Sequence, residues 1–283
     1  MASLVDLHMH STASDGTLPV EELMKLAASV GLKTIALTDH DTTAALDTAI
    51  AVGRDLGMEV IPGIELSADD NGNEVHVLGY FINYHNDKFQ RELEKFRDTR
   101  VGRAEAMVKK LATLGLPISY ERVLEIAGDA APQRPHIAEA LKEAGYITTV
   151  AEAFDKYIGN DGPAYVDRVR ITTVESVELI KSVGGLAVMA HPTYVKNLTD
   201  VLPPMVEAGL VGIEVHYGHY DDATVANLLQ VANAHYLIAT GGSDFHGRPD
   251  GGQVYIGEHV VPPAVIDELK AKLAISQQPT AHR

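Results

Sequence analysis

The chain has 283 residues, 46% of them hydrophobic and 22% charged, a balance that excludes a disordered chain, a collagen and a coiled coil. Its length suits one large domain or two small ones. There are no cysteines, so disulfides and thiolate metal sites are excluded and any metal must be held by His, Asp or Glu. A net charge of −16 argues against coating duplex DNA, although a phosphate could still be bound locally. No apolar run approaches the roughly 18 residues of a membrane span. Asp6 and His8 break the N-terminal stretch before a signal-peptide apolar region can form. The expected setting is the cytoplasm, without a membrane partner.

Residues 4–7 read as a short apolar strand. Residues 19–30 have helical periodicity, with Thr17 as the N-cap and Glu21 and Glu22 in the first turn. A strand over 34–37, an Ala-rich helix over 43–56 stopped by Gly57, and strands over 59–64 and 74–82 follow. Strands alternating with helices predict a parallel sheet, open or closed into a barrel. The rhythm breaks over 85–165, where one long amphipathic helix at 86–114 is followed by short helices near 120–127, 135–144 and 150–158. This stretch reads as a helical insertion between barrel segments 1–84 and 166–283. The alternation then returns, with helices at 173–183, 198–208, 221–234 and 262–274 and strands at 186–190, 211–215 and 236–240. Residues 85–146 hold 11 Lys/Arg and 10 Asp/Glu, so the rest of the chain carries −17 and the insertion is locally far more basic.

Most candidate ligands fall at or just past the C-terminal ends of predicted strands, the edge where α/β proteins build their sites. His8 and His10 flank Met9, and a strand's period of two points both imidazoles the same way. Asp15 follows in "STASDGT", where an Asp-Gly turn is the simpler reading. His40 sits in "LTDHD", Glu65 ends "VIPGIE", His191 follows "AVMA", and Asp244 and His246 close "GGSDFH". His76 is the exception, inside the strand "EVHVLGY" with Leu78 and Tyr80 on its face. Six imidazoles and three carboxylates placed in this way suit two or three divalent cations.

"DLHMHSTASDGT", "ALTDHDT", "GIELS", "HVLGY", "AHP" and "GSDFH", in that order, resemble the PHP (polymerase and histidinol phosphatase) family of metal-dependent phosphoesterases. Among its members the chain looks most like the stand-alone bacterial branch acting on 3′,5′-bisphosphonucleotides or on short RNAs from the 5′ end. The resemblance implies a distorted (β/α)7 barrel with a trinuclear site. It assigns His8, His10, Glu65 and Asp244 to one metal, Glu65, His76 and His191 to a second, and Asp15, His40 and His246 to a third. Manganese, iron and zinc all suit such N/O donors.

Hydroxide is repelled by an anionic phosphate ester, and clustered cations remove that obstacle while lowering the pKa of a bound water toward ~7. In-line attack on phosphorus is the expected chemistry, with Asp15, His40, Glu65 and His246 as the catalytic residues. The leaving-group acid could be Asp39, His40 or a metal-held water. Without Cys or a "GxSxG" elbow, a covalent intermediate is not expected.

Arg97, Arg100 and Arg103 recur every three residues on the long helix, and a guanidinium suits bidentate phosphate contact, although a solvated charged face is the simpler alternative. "RVGRAEAM" and "QRPHIAEAL" resemble family segments that contact substrate phosphate, which selects Arg100, Arg103 and Arg134 and makes the insertion a substrate-binding cap. His136 would orient Arg134 or cap its helix. Tyr217 and Tyr220 would form a base-stacking wall beside His216 and His219. His85, His235, His259 and His282 have no functional case. Two other readings keep the fold: a histidinol-phosphate or other small-molecule phosphatase, and a non-catalytic partner-binding module. An amidohydrolase barrel is disfavoured, since its bridging Lys has no counterpart between Lys33 and Lys88.

Overall fold

A computed structural model describes residues 4–167, 171–218, 220–247, 256–257 and 261–277. Apolar runs set the sheet: Leu32–Leu37 is buried at every position except Lys33, as expected of a strand covered on both faces. Seven strands follow one hydrogen-bonded path, β1 (Leu4–Asp6), β2 (Leu32–Leu37), β3 (Glu59–Asp70), β4 (Asn73–Tyr80), β6 (Leu186–Met189), β7 (Gly212–Tyr217) and β8 (Ile238–Gly242). A two-residue strand β5 (Ile171–Thr172), not anticipated from the sequence, pairs with β3. The path nearly closes on itself. Met9 bridges Phe245, and the His10 and Asp244 amides donate to the Phe245 and His8 carbonyls at 3.0 and 2.8 Å. Gly242 permits this approach, because a Cβ there would sit 2.4 Å from His8 Cβ. The result is the distorted α/β barrel with a helical insertion that the resemblance implied.

One expectation needs correction: the sheet is not wholly parallel. β4 runs antiparallel to both β3 and β6. The cause is the two-residue loop Asn71-Gly72, with φ of 52° and 84°. Positive φ at both central residues is the type I′ hairpin signature, and Asn-Gly is its preferred sequence. The reversal also explains why His76 lies inside a strand. The first half of β4 lies at the barrel end where the parallel strands finish, so His76, opposite Ser67, reaches the same mouth as the other donors.

The helices α1 (Val20–Ser29), α2 (Leu46–Asp55), α7 (Thr173–Ser182), α8 (Leu198–Ala208) and α9 (Asp222–Ala234) have buried faces in the main core cluster with the outer face of the sheet. Thr17 does not cap α1, which starts at Pro19 without a side-chain cap; its hydroxyl donates to the His246 carbonyl instead. Inside the barrel, Val5, Leu7, Leu78, Tyr80 and Val188 pack with Val265, Ile266 and Leu269 of α10 (Ala264–Ser276), which plugs the end opposite the mouth.

Between β4 and β5, α3 (Asp87–Thr113) begins at Asn86, whose side chain accepts from the Lys88 and Phe89 amides. Next come α4 (Tyr120–Ala127), α5 (Arg134–Glu143), α6 (Val150–Ala153) and a π-turn, Phe154–Ile158. The expected single helix over 150–158 is thus split. These helices enclose a separate apolar cluster that includes Met107, Leu111, Ile137, Leu141 and Ile158. Among the described residues, no helix is long and apolar enough to cross a membrane.

Candidate metal centre

The mouth gathers all nine donors. His8, His10, Glu65 and Asp244 place one ligand atom each within 4.8 Å of the others, as do His10, Asp15, His40 and His246, and also His40, Glu65 and His76. A cation with bonds of ~2.1 Å holds opposed ligands about twice that far apart, so the spacing fits. Glu65 is the hub. Its Oε2 lies 3.3, 3.2 and 3.0 Å from His8 Nε2, His10 Nε2 and His40 Nδ1. Its Oε1 lies 2.9 and 3.1 Å from His76 Nδ1 and His191 Nε2. The resemblance pairs His191 with His76; the geometry groups His40 and Glu65 with His76, and His191 joins through Glu65 Oε1.

His76 Nδ1 and His191 Nε2 hydrogen-bond to Glu65 Oε1, whereas several of the other donor atoms have no such partner. Despite these short separations, His8 Nε2, both nitrogens of His10, His40 Nδ1, Glu65 Oε2 and Asp244 Oδ1 are buried and make no hydrogen bond among the described residues. A buried polar atom left in this way costs about 1–3 kcal/mol, and a cation accepting these lone pairs removes that cost. The set fits divalent cations on this ground and on its N/O chemistry.

Charge in the cluster is strongly coupled. Burial disfavours a charged His10, yet the adjacent Asp244 and Glu65 carboxylates hold it up at about 10. His76 is likewise held up at about 9, against burial, by Glu65 and Glu74. For His40, burial outweighs Glu65 and Asp15 and, with His10 and His76 alongside, lowers it to about 3. Glu65, Asp15 and Asp244 all fall well below the usual carboxylate range, because the imidazoles overcome their burial. Protons and cations therefore compete for the same atoms.

Supporting residues set the donors' tautomers and aim. The buried Glu214 carboxylate accepts from His8 Nδ1 at 3.0 Å and from the His191 amide at 2.8 Å, which leaves His8 Nε2 for the cluster. Glu214 was not singled out from the sequence; its signal was a lone carboxylate inside the apolar strand "GIEV". Such a partner typically tunes metal affinity or activity by 10–100-fold. Glu214→Gln is therefore expected to weaken Mn²⁺ binding by about 10-fold or more, which titration calorimetry on chelator-treated protein would check. His246 Nδ1 meets the Asp244 carbonyl at 2.8 Å, leaving Nε2 to face Asp15. His191 and Asp244 hold positive φ of 25° and 52°, strain of the kind that clusters at functional sites.

Asp39 faces away from the mouth, accepting from the Ser11 amide and from the Ser11 and Ser14 hydroxyls at 2.8, 2.7 and 2.6 Å. It braces the loop between His10 and Asp15. Tyr217 does not form a stacking wall. It is 4% exposed, and its hydroxyl donates to Asp244 Oδ2 at 2.8 Å. Tyr220 is turned to Thr193, whose amide and hydroxyl lie 3.3 and 3.0 Å from its hydroxyl. The aromatic that lines the cavity from this side is Tyr194, 61% exposed. His219, His259 and His282 lie outside the described residues.

Above the cluster is a cavity of about 260 Å³, lined by Asp15, Glu65 and His246 below and by Arg103, Arg134 and Phe154 of the helical segment above. Arg134 donates to Glu74 Oε2 and Asn160 Oδ1 at 2.7 and 2.8 Å. Arg103 donates from Nε to the Val166 carbonyl at 2.7 Å, and its guanidinium lies 5.1 Å from the Tyr165 ring centre. Arg100 is buried, with Nε and Nη2 on Asp41, Nη2 also 3.0 Å from the Ser67 hydroxyl, and Nη1 on Gln133. It fastens α3 to the barrel loop and to the start of α5. Arg97 donates to the Asp129 carbonyl, and His136 Nδ1 accepts from the Gln133 amide as a helix cap.

A nearly closed α/β barrel with imidazoles and carboxylates converging in its mouth defines a metal-dependent hydrolase. A PHP-domain profile matches residues 6–146. The chain is 33% identical over 247 residues to the phosphoribosyl 1,2-cyclic phosphate 1,2-diphosphodiesterase of Eggerthella lenta, spanning 86% of this chain and 94% of that one. It is 32% identical over 251 residues to the 5′-3′ exoribonuclease Rnm of Salmonella typhimurium, spanning 87% and 86%. It is 29% identical over 277 residues to the 3′,5′-nucleoside bisphosphate phosphatase of Chromobacterium violaceum, spanning 95% and 97%. A crystal structure assigned as a metal-dependent phosphoesterase from Bifidobacterium adolescentis superposes with a TM-score of 0.87 at 30% identity, covering 96% and 97%. The chain belongs to the PHP family and is a metal-dependent phosphoric ester hydrolase.

Proposed function

We propose that this enzyme hydrolyses phosphate esters of substrates carrying a second phosphate group, either 3′,5′-bisphosphonucleotides, with release of phosphate, or short 5′-phosphorylated RNAs, with release of a nucleotide from the 5′ end. His8, His10, Asp15, His40, Glu65, His76, His191, Asp244 and His246 would hold two or three divalent cations. One observation carries this reading: residues of the donor clusters and Arg100, Arg103 and Arg134 line a single cavity. One phosphate would meet the clusters while the other meets the arginines of residues 85–165, which act as a substrate-binding cap. Of the similar proteins above, one is named a 3′,5′-nucleoside bisphosphate phosphatase and another a 5′-3′ exoribonuclease, in support of the same reading.

When bound, the cations supply Lewis acidity toward a phosphoryl oxygen and toward water. The chain's own part is positional. Glu65 ties the donor groups together, Glu214 and Tyr217 orient His8 and Asp244, and Asp39 braces the loop bearing Asp15. A guanidinium matches the planar, bidentate geometry of a phosphate's oxygens.

Hydrolysis is to be assayed with Mn²⁺ as phosphate release from adenosine 3′,5′-bisphosphate and histidinol phosphate, as nucleotide release from a 5′-phosphorylated oligoribonucleotide, and as ring opening of a ribose 1,2-cyclic phosphate. The bisphosphate and the oligoribonucleotide should have the highest kcat/KM; preference for histidinol phosphate would overturn the proposal. Arg134→Ala should raise KM for the bisphosphate by roughly 10- to 100-fold, the range of a lost hydrogen bond to a charged group. An unchanged KM would remove Arg134 from the phosphate site.

A further inference from the structure

Glu74 stands at the junction of barrel and cap. It precedes His76 by two residues on β4, so both side chains leave the strand on one face and line the cavity. Its two oxygens have different partners. Oε2 accepts from Arg134 Nη2 at 2.7 Å, and Oε1 lies 3.7 Å from His76 Nε2. His76 is thus held between two carboxylates, with Glu65 on Nδ1 and Glu74 on Nε2. Beyond Arg134 the chain of contacts continues to Asn160 Oδ1 at 2.8 Å, and the guanidinium carbon lies 5.4 Å from the centre of the Phe154 ring on the π-turn. Side chains therefore run from the donor cluster to the cap, joined between His76 and Glu74 by an ion-pair separation of 3.7 Å rather than a hydrogen bond.

We propose that Glu74 is a positioning residue serving both ends of the substrate: it sets the ring of His76 as a metal ligand and aims Arg134 at the second phosphate. This rests on the roles given above to His76 and Arg134. A carboxylate on the far nitrogen of a metal-binding imidazole fixes its tautomer and raises its basicity as a ligand. The same carboxylate holds the planar fork of Arg134, so the guanidinium need not be ordered when substrate arrives. Glutamate is required for both tasks at once, because a carboxylate accepts on both oxygens whereas an amide accepts on one.

The test uses full-length Glu74→Gln, Arg134→Gln and the double variant. Mn²⁺ affinity is measured by calorimetry on chelator-treated protein, and kcat and KM on adenosine 3′,5′-bisphosphate. Glu74→Gln should weaken Mn²⁺ binding by about 10- to 100-fold, and to the same extent in the Arg134→Gln background. It should also raise KM, with the two substitutions non-additive in KM because Glu74 acts through Arg134. If Glu74→Gln does not fold, Glu74→Asp keeps the charge but is too short to reach both partners, and the same losses are expected. Wild-type Mn²⁺ affinity in a folded variant, or additive effects on KM, would overturn the inference. Failure of the wild-type protein itself to take up Mn²⁺ would strike instead at the metal assignment beneath it.

Discussion

Glu65→Gln is expected to lower kcat/KM by about 1,000-fold or more and to reduce the number of Mn²⁺ ions retained. Both carboxylate oxygens are committed, Oε2 among His8, His10 and His40 and Oε1 between His76 and His191. An amide keeps the shape but carries no charge and presents N–H to one of those groups. Glu65 would be shared between bound cations, which would supply several kcal/mol of charge stabilisation to a phosphoryl group, and each 1.36 kcal/mol is a factor of ten in rate. Metal content by elemental analysis, together with steady-state kinetics, decides the matter. Full metal content with near-normal turnover would mean that Glu65 does not bridge.

Arg100→Ala is expected to cost about 3–5 kcal/mol of stability, the penalty for breaking a buried ion pair from one side. Asp41 would be left as a buried carboxylate, and Gln133 and Ser67 would lose their partner. Chemical denaturation read by circular dichroism measures the loss. A variant of normal stability with a raised KM would instead return Arg100 to the phosphate-binding role expected from the sequence.

The donor set was legible because the chemistry is concentrated locally. His8 and His10 share a strand's period of two, and Asp244 and His246 share a spacing of two just past β8, each after an apolar run that announces the strand. That Arg100 forms an ion pair with Asp41 was not legible. Its three-residue spacing from Arg97 and Arg103 puts it on one helical face but says nothing about Asp41, 59 residues earlier in the chain, which lies against that face. Glu214 was missed for the same reason, as its partner His8 is 206 residues away. The antiparallel turn was missed although its signal was present: Asn71-Gly72 outweighs the parallel alternation suggested by the surrounding elements. Tyr217 is covered, and Tyr194, not singled out from the sequence, lines the cavity instead, because a sequence does not state which aromatic is covered.

The 27-residue α3 acts as a ruler. At 1.5 Å per residue it spans ~40 Å, with Phe89 and Leu93 anchored on the flank of the barrel, Arg100 on Asp41, and Met107 and Leu111 in the other apolar cluster. The height and heading of everything beyond it follow from the number of residues between Leu93 and Ala104. One added residue there would swing the far end by ~100°, whereas seven would restore its heading and lift it by ~10 Å. Deletions and insertions in this interval are thus a means of changing how tall a molecule fits beneath.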